Sequence, residues 1–291
     1  MVRDRSLSGR TFTAVVHVVM VFVLLITLLP VIHVISISFS SAAAINRGEV
    51  GLWPVELSIS AYTAIFSTGN VPRSFMNSIY YTVLGTVINM VLTTMMAYPL
   101  SRPHLTFRKF YNVLILITMF FSGGLIPTFL TVRNLGLYDT VWAVVLPGAI
   151  STWNLIIMRT FFMNLPVELE ESAQLDGAND LTIFSRIILP LSKASIATIT
   201  LFYAVSHWNN WFNAMIYFKS SKSYPLQTIL RSIVINNEMS EEMQVDEVID
   251  SVSAEGIKYS TLVVSMVPML VVYPFIQKYF VKGVMIGSLK G

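Results

Sequence analysis

Two stretches of this chain hold most of the side chains that could do chemistry. The first, Glu168 to Pro190, reads ELEESAQLDGANDLTIFSRIILP and carries five carboxylates: Glu168, Glu170, Glu171, Asp176 and Asp180. Carboxylates at that density do not lie in a bilayer, so the stretch belongs in water or against another protein. The second, His207-Trp208-Asn209-Asn210-Trp211-Phe212-Asn213, sets an imidazole, three amides and two indoles inside an apolar run. Unpaired amides are costly at membrane depth, so these groups must face water, a ligand or another helix. At helical spacing His207 would stand over Trp211, and Asn209 over Asn213. Amides and aromatic rings together are what sugars bind, hydroxyls pairing with amides and CH faces packing on indole. Interhelical hydrogen bonding is the competing reading.

Neither stretch is a catalytic set. The chain has no cysteine, which excludes disulfides, thiolate nucleophiles and cysteine-ligated metals. Its four histidines, His17, His33, His104 and His207, are scattered too widely to suggest a metal site. No G-x-x-x-x-G-K-[ST] occurs, so the chain does not hydrolyse ATP by itself. A membrane enzyme would need an acid pair, a ligand cluster or a nucleophile–base pair near the spans, and no such set is seen. A secondary transporter would need intramembrane carboxylates for ion coupling, and these too are missing.

The elements that position these residues follow from composition. Of 291 residues, 54% are hydrophobic and only 12% charged, and the mean hydropathy is +0.67. Soluble domains carry about twice that charge, so the class is an all-α, multi-span membrane protein. The net charge of +3 is too small to argue for nucleic acid. Six apolar runs are long enough to cross a bilayer: about Phe12–Phe39, Phe75–Tyr98, Phe110–Val132, Thr140–Met163, Ala194–Phe218 and Ile257–Phe280. The first also resembles a signal peptide ending at Ser40-Ser41-Ala42-Ala43-Ala44, but it is too long for one, and an uncleaved span is the reading adopted. Gly123-Gly124 with Pro127, and Pro147-Gly148, interrupt the third and fourth runs, as is tolerated where neighbouring protein satisfies the freed backbone. Residues 1–12 form a basic N-terminus, 13–281 the membrane domain with its loop at 164–194, and 282–291 a tail. Between spans, 40–72 suit an exposed segment with an interfacial helix, and Gln227–Glu255 an acidic lobe. Basic residues concentrate beside the termini and the even-numbered connectors, which places both termini and the 164–194 loop in the cytoplasm.

Within the loop, local chemistry spells two short helices with a break. Pro166 suits a first turn, and the glutamates after it complement the positive end of the helix dipole. Gly177 can take the left-handed conformation that ends such a helix, Asn179 or Asp180 can cap the next, and Pro190 closes the segment.

Here the residues carry a resemblance. Glu171-Ser172-Ala173, then Asp176-Gly177-Ala178, then Phe184, Ile187, Leu189 and Pro190 resemble the EAA loop of bacterial ABC importer permeases, usually E-A-A-x-x-x-G with an apolar, proline-ended tail. Ser172 replaces the commoner alanine. The resemblance implies a type I ABC importer permease fold. It implies that Glu168, Glu171, Ala173, Asp176, Gly177, Ala178, Phe184 and Pro190 form coupling helices docked on an ATPase, with Phe184 as the apolar anchor. The second stretch is similar to the corresponding helix of carbohydrate-import permeases, especially the oligosaccharide and polysaccharide branch. That likeness implies a substrate path along His207, Trp208, Asn209, Asn210, Trp211 and Asn213. The ending Lys282-Gly283-Val284 to Ser288-Leu289-Lys290-Gly291 resembles the tail of a maltose-type permease, which implies contact of Lys282 and Lys290 with ATPases. The partners implied are a second homologous permease, two ATPase subunits that bind the ATP and magnesium, an extracytoplasmic solute-binding protein and membrane lipid. This chain would carry no cofactor. Alginate or other uronate-rich glycans are possible cargoes by family likeness, and an importer for a non-sugar solute is the alternative.

Overall fold

The computed structural model describes residues 7–67, 70–236 and 253–288, with side chains over 9–67, 70–234 and 253–274. Its elements are α1 (Leu7–Ser38), α2 (Ala42–Asn46), α3 (Ser60–Ser67), α4 (Asn70–Ser101), α5 (Arg108–Phe120), α6 (Leu125–Asn134), α7 (Val141–Val145) and α8 (Thr152–Met163). They continue with α9 (Glu168–Leu175), α10 (Asp180–Ile183), a π-turn (Phe184–Ile188), α11 (Leu189–Leu191), α12 (Lys193–Trp208), α13 (Phe212–Tyr217), α14 (Leu226–Asn236) and α15 (Ala254–Ser288). No strand occurs among the described residues, in keeping with the all-α expectation.

The six expected spans are not each recovered as one continuous helix. Among the described residues, three helices are long and apolar enough to cross a membrane: Gly9–Ser38, Asn70–Ser101 and Ala254–Pro274. Five are reached if two bent pairs each count as one span. The first pair, α5 with α6, bends by 114° at the Gly123-Gly124 break, where Gly124 holds φ +85°. The second joins Asp180–Leu191 to α12 at 82°. The expected fourth run is two pieces, because α7 stops at Val145 and α8 begins only after Ser151, whose side chain caps Asn154 N–H. Pro147, with no N–H to donate and a fixed φ, cannot continue the helix between them. The expected fifth run also breaks, between Trp208 and Phe212.

The chain divides into two compact units. One comprises 1–72 and 232–266. In it α1 is apolar on all faces, and its most hydrophobic window is wholly unburied by the chain itself, as suits a helix facing lipid or another subunit. Serines at its end hold the following segment: Ser36 Oγ donates to Leu52 O at 2.7 Å, Val55 N–H to Ser40 Oγ at 3.0 Å, and Tyr62 OH to Ser38 Oγ at 2.8 Å. His33 Nδ1 lies 2.8 Å from Gly51 O. Arg47 pairs with Glu49 and Glu56 at 2.9 and 3.1 Å. Hydrogen bonding from Ser41 and then from Arg47 holds the Glu56 carboxyl below its usual range.

The other unit, 73–231 with 267–291, carries both candidate stretches. Its main core gathers Ala97, Leu100, Ile115, Leu155, Met158, Phe162, Ile183, Ile188, Ile199 and Tyr203. These residues bring α4, α5, α8, the 180–188 segment and α12 to one place. A smaller cluster joins Tyr81, Val144, Ala214 and Phe218.

Candidate functional site

The acidic loop folds as its residues dictate. Glu168, Glu170 and Glu171 occupy the first turn of α9, where the helix dipole favours carboxylates. The helix begins just past Pro166, with Glu170 and Glu171 N–H donating to Val167 O at 2.9 and 3.1 Å. Its end is a full Schellman turn: Ala178 N–H bonds Ala173 O at 2.9 Å, and Gly177 N–H bonds Gln174 O at 3.0 Å. Gly177 sits at φ +83°, a region where a Cβ is strained. Asn179, of the two capping candidates, accepts from Thr182 N–H at 2.9 Å. The next helix widens into the π-turn just before Pro190. Proline offers no N–H to Arg186 and its ring would crowd that carbonyl, so the widening relieves both.

The sides of this loop are distinct. Glu168, Glu171, Asp176, Gly177 and Pro190 are exposed, and Ala173 and Ala178 pack partly against the main core. Phe184, expected as the apolar anchor, is partly buried against the core, its ring centroid 5.1 Å from that of Tyr98. The most exposed apolar groups of the loop are Leu175, 90% exposed, and Leu181, 72% exposed. Glu170 is buried and forms an ion pair with Arg102. Burial pushes the Glu170 carboxyl up, Arg102 opposes that, and Asp180 adds to it.

The second stretch does not form the continuous helix that would stack His207 on Trp211. Helix α12 ends at Trp208, and Asn209 to Trp211 make a turn before α13. Three of the six expected path residues, His207, Asn210 and Asn213, line a cavity of about 450 Å³. The other three do not. Trp208 is buried edge-on to Phe75 at 6.0 Å, Asn209 Nδ2 donates to Val205 O at 2.9 Å, and Trp211 lies under the Arg231 guanidinium at 3.5 Å. The break swings these groups off the face that helical spacing would have given them.

The cavity wall is completed by Asn89 from α4, Ser151, Trp153 and Asn154 from the start of α8, and Phe202, Tyr203 and Ser206 from α12. Asn89 Nδ2 donates to His207 Nε2 at 3.1 Å, and its Oδ1 is buried with no partner among the described residues. Tyr203 OH joins Thr93 Oγ1 at 2.7 Å and accepts from Ser151 N–H at 3.0 Å. The wall holds amides, hydroxyls, aromatic rings and one imidazole, with no carboxylate, lysine or arginine. Such a set can exchange hydrogen bonds with hydroxyls and stack a flat apolar face, and it has no acid–base pair for bond cleavage. Asn89 and its neighbours Thr82, Thr86 and Thr93 escaped the sequence reading. Their signal was polar groups at i, i+4, i+7 and i+11 in an otherwise apolar helix. Lys290 and the side chain of Lys282 lie outside the described residues.

The described residues thus form a helical component with apolar, membrane-length helices, a structured acidic loop and an uncharged polar cavity. The family model described as "Binding-protein-dependent transport system inner membrane component" matches residues 74–286, and the chain belongs to that family. It is 45% identical over 286 residues to the polygalacturonan/rhamnogalacturonan transport system permease protein YtcP of Bacillus subtilis (strain 168), covering 98% of this chain and 100% of that one. It is also 45% identical over 267 residues to protein LplC of the same strain, covering 91% and 90%. Among solved structures it matches, with a TM-score of 0.89 and 37% identity over 94% of this chain and 98% of that one, a chain described as a "bacterial ABC transporter involved in the import of the acidic polysaccharide alginate".

Proposed function

We propose that this chain is a permease subunit of an ABC importer that carries oligosaccharides or polysaccharide fragments across the inner membrane, uronate-rich glycans foremost among them. The observation that carries the reading is the agreement in fold, over nearly the whole chain, with the permease of an alginate importer. The relative named for polygalacturonan/rhamnogalacturonan transport supports the same class of cargo. The working assembly would join this chain to a second homologous permease, two ATPase subunits and an extracytoplasmic solute-binding protein. ATP and magnesium would be bound by the ATPases, and this chain needs no cofactor of its own. Basic residues beside the termini and the 164–194 loop support a cytoplasmic location for all three. The 282–291 tail, with Lys282 and Lys290, would then reach the ATPases.

In the mechanism, closure of the ATPase pair moves the docked α9–α10 loop. Leu175 and Leu181 supply the apolar contact, with Glu168, Glu171 and Asp176 around them. The bundle turns its cavity outward, receives the glycan on His207, Asn210, Asn213, Asn89 and Asn154, and releases it inward as ATP is hydrolysed. Calorimetry on the cognate binding protein tests the cargo class. Oligogalacturonates or alginate oligomers should bind, and binding of amino acids or metal chelates alone would refute it.

A further inference from the structure

The guanidinium of Arg102 stands where three elements meet. It sits just past the end of α4 and pairs with Glu170 in the first turn of α9. Its Nη1 donates to Phe162 O, near the end of α8, at 3.1 Å. Its Cζ lies 5.0 Å from the centroid of Tyr98. Tyr98 in turn packs on Phe184 at 5.1 Å and on Phe162 at 6.5 Å.

Helix α9 is otherwise weakly held. Glu170 is its one buried residue, and beside it only the small Ala173 packs partly on the main core, so the deepest tie from α9 to the body of the unit is a charge and not a hydrophobe. Beside the pair lies a cavity of about 430 Å³, walled by Pro99, His104, Glu171, Gln174 and Asp180 among others. A helix flanked by open space and held by one buried ion pair and a single small apolar contact moves largely as that pair allows. Hydrophobic contact would let α9 slide, whereas a buried pair loses much if its partners part.

We propose that Arg102 is a positioning residue that carries displacement of α9 into α4, with Glu170 as its counter-charge. The proposal rests on the coupling reading of the loop. It adds a second route to α4, beside the covalent one through α8, and α4 carries Asn89 and so one wall of the polar cavity.

The test uses the complete importer in proteoliposomes, with ATP inside, binding protein outside and oligogalacturonates or alginate oligomers as probes. Glu170→Gln and Arg102→Gln should retain the ATPases and continue to hydrolyse ATP, while sugar taken up per ATP falls about tenfold, an ordinary size for coupling between sites. Arg102→Lys, which keeps the charge, should restore most of the loss. Unchanged uptake per ATP in both glutamine variants overturns the proposal, as does Arg102→Lys failing as fully as Arg102→Gln. Should Arg102→Gln not assemble, the nearly isosteric Glu170→Gln decides alone. Gly177→Arg is the control for the underlying reading. If it too couples normally, the coupling role of the loop fails; if it alone is impaired, only the role of Arg102 fails.

Discussion

The imidazole of His207 rests on the bare backbone of Gly85: a Cβ built at that glycine would come 2.5 Å from both Cε1 and Nε2 of the ring. Helices α4 and α12 approach closely there because one of them has no side chain. The contact also sets the ring within reach of Asn89 at 3.1 Å, and so shapes one end of the polar cavity.

Gly85→Ala should therefore displace His207 and destabilise the permease by about 1–3 kcal/mol, the usual range for overpacking. The double variant Gly85→Ala/His207→Ala removes the obstacle and should melt above Gly85→Ala alone in detergent. Equal melting would show that the ring is not what Gly85 accommodates.

Inside the cavity, Asn154→Ala and Asn210→Ala should each weaken transport roughly three- to tenfold in half-saturating sugar concentration, the worth of a hydrogen bond lost. Asn209→Ala should leave it unchanged, since its amide bonds Val205 O and does not line the cavity. Trp208→Ala should act on the yield of folded protein, by about 3–5 kcal/mol for a buried aromatic ring. Uptake curves beside melting curves separate these outcomes.

What could be read from the sequence was local. Gly177 at the helix end and a cap at Asn179 or Asp180 follow from interactions within a few residues; the structure has Gly177 there and Asn179 as the cap. Long-range consequences were hidden. Arg102 and Glu170 lie far apart in sequence, and only folding brings them together. Phe184 was expected as the apolar anchor of the loop, yet it packs partly buried against Tyr98. The asparagine cluster was placed on one helix because its run is apolar throughout, and the turn at Asn209 redistributed its faces.

The inward turn of Phe184 separates two substitutions that the sequence alone would treat alike. Phe184→Ala should cost the permease about 2 kcal/mol of stability, less than a fully buried ring would. Leu175→Asp or Leu181→Asp should leave its melting unchanged and release the ATPases during purification. ATPases lost from Phe184→Ala at unchanged melting would reverse that assignment.

Topology gives an independent check. A reporter fused after Gly291 should be shielded from reagents added outside intact cells, with the 237–252 segment accessible to them. Labelling of the C-terminal reporter from outside would invert the proposed orientation of the loop and tail.

The most direct measurement is ATP-driven uptake by the reconstituted importer, comparing the native chain with Gly177→Arg. Gly177 holds φ +83° in open space, so substitution costs roughly 1 kcal/mol in the backbone and sets a bulky cation on the face proposed to meet the ATPases. The native complex should accumulate oligogalacturonates or alginate oligomers only with ATP inside and binding protein outside. The variant should insert and pair with its partner permease yet lose its ATPases or the coupling of hydrolysis to uptake. Normal uptake by Gly177→Arg with both ATPases bound, or no ATP-dependent uptake of any oligosaccharide by the native complex, would contradict the account.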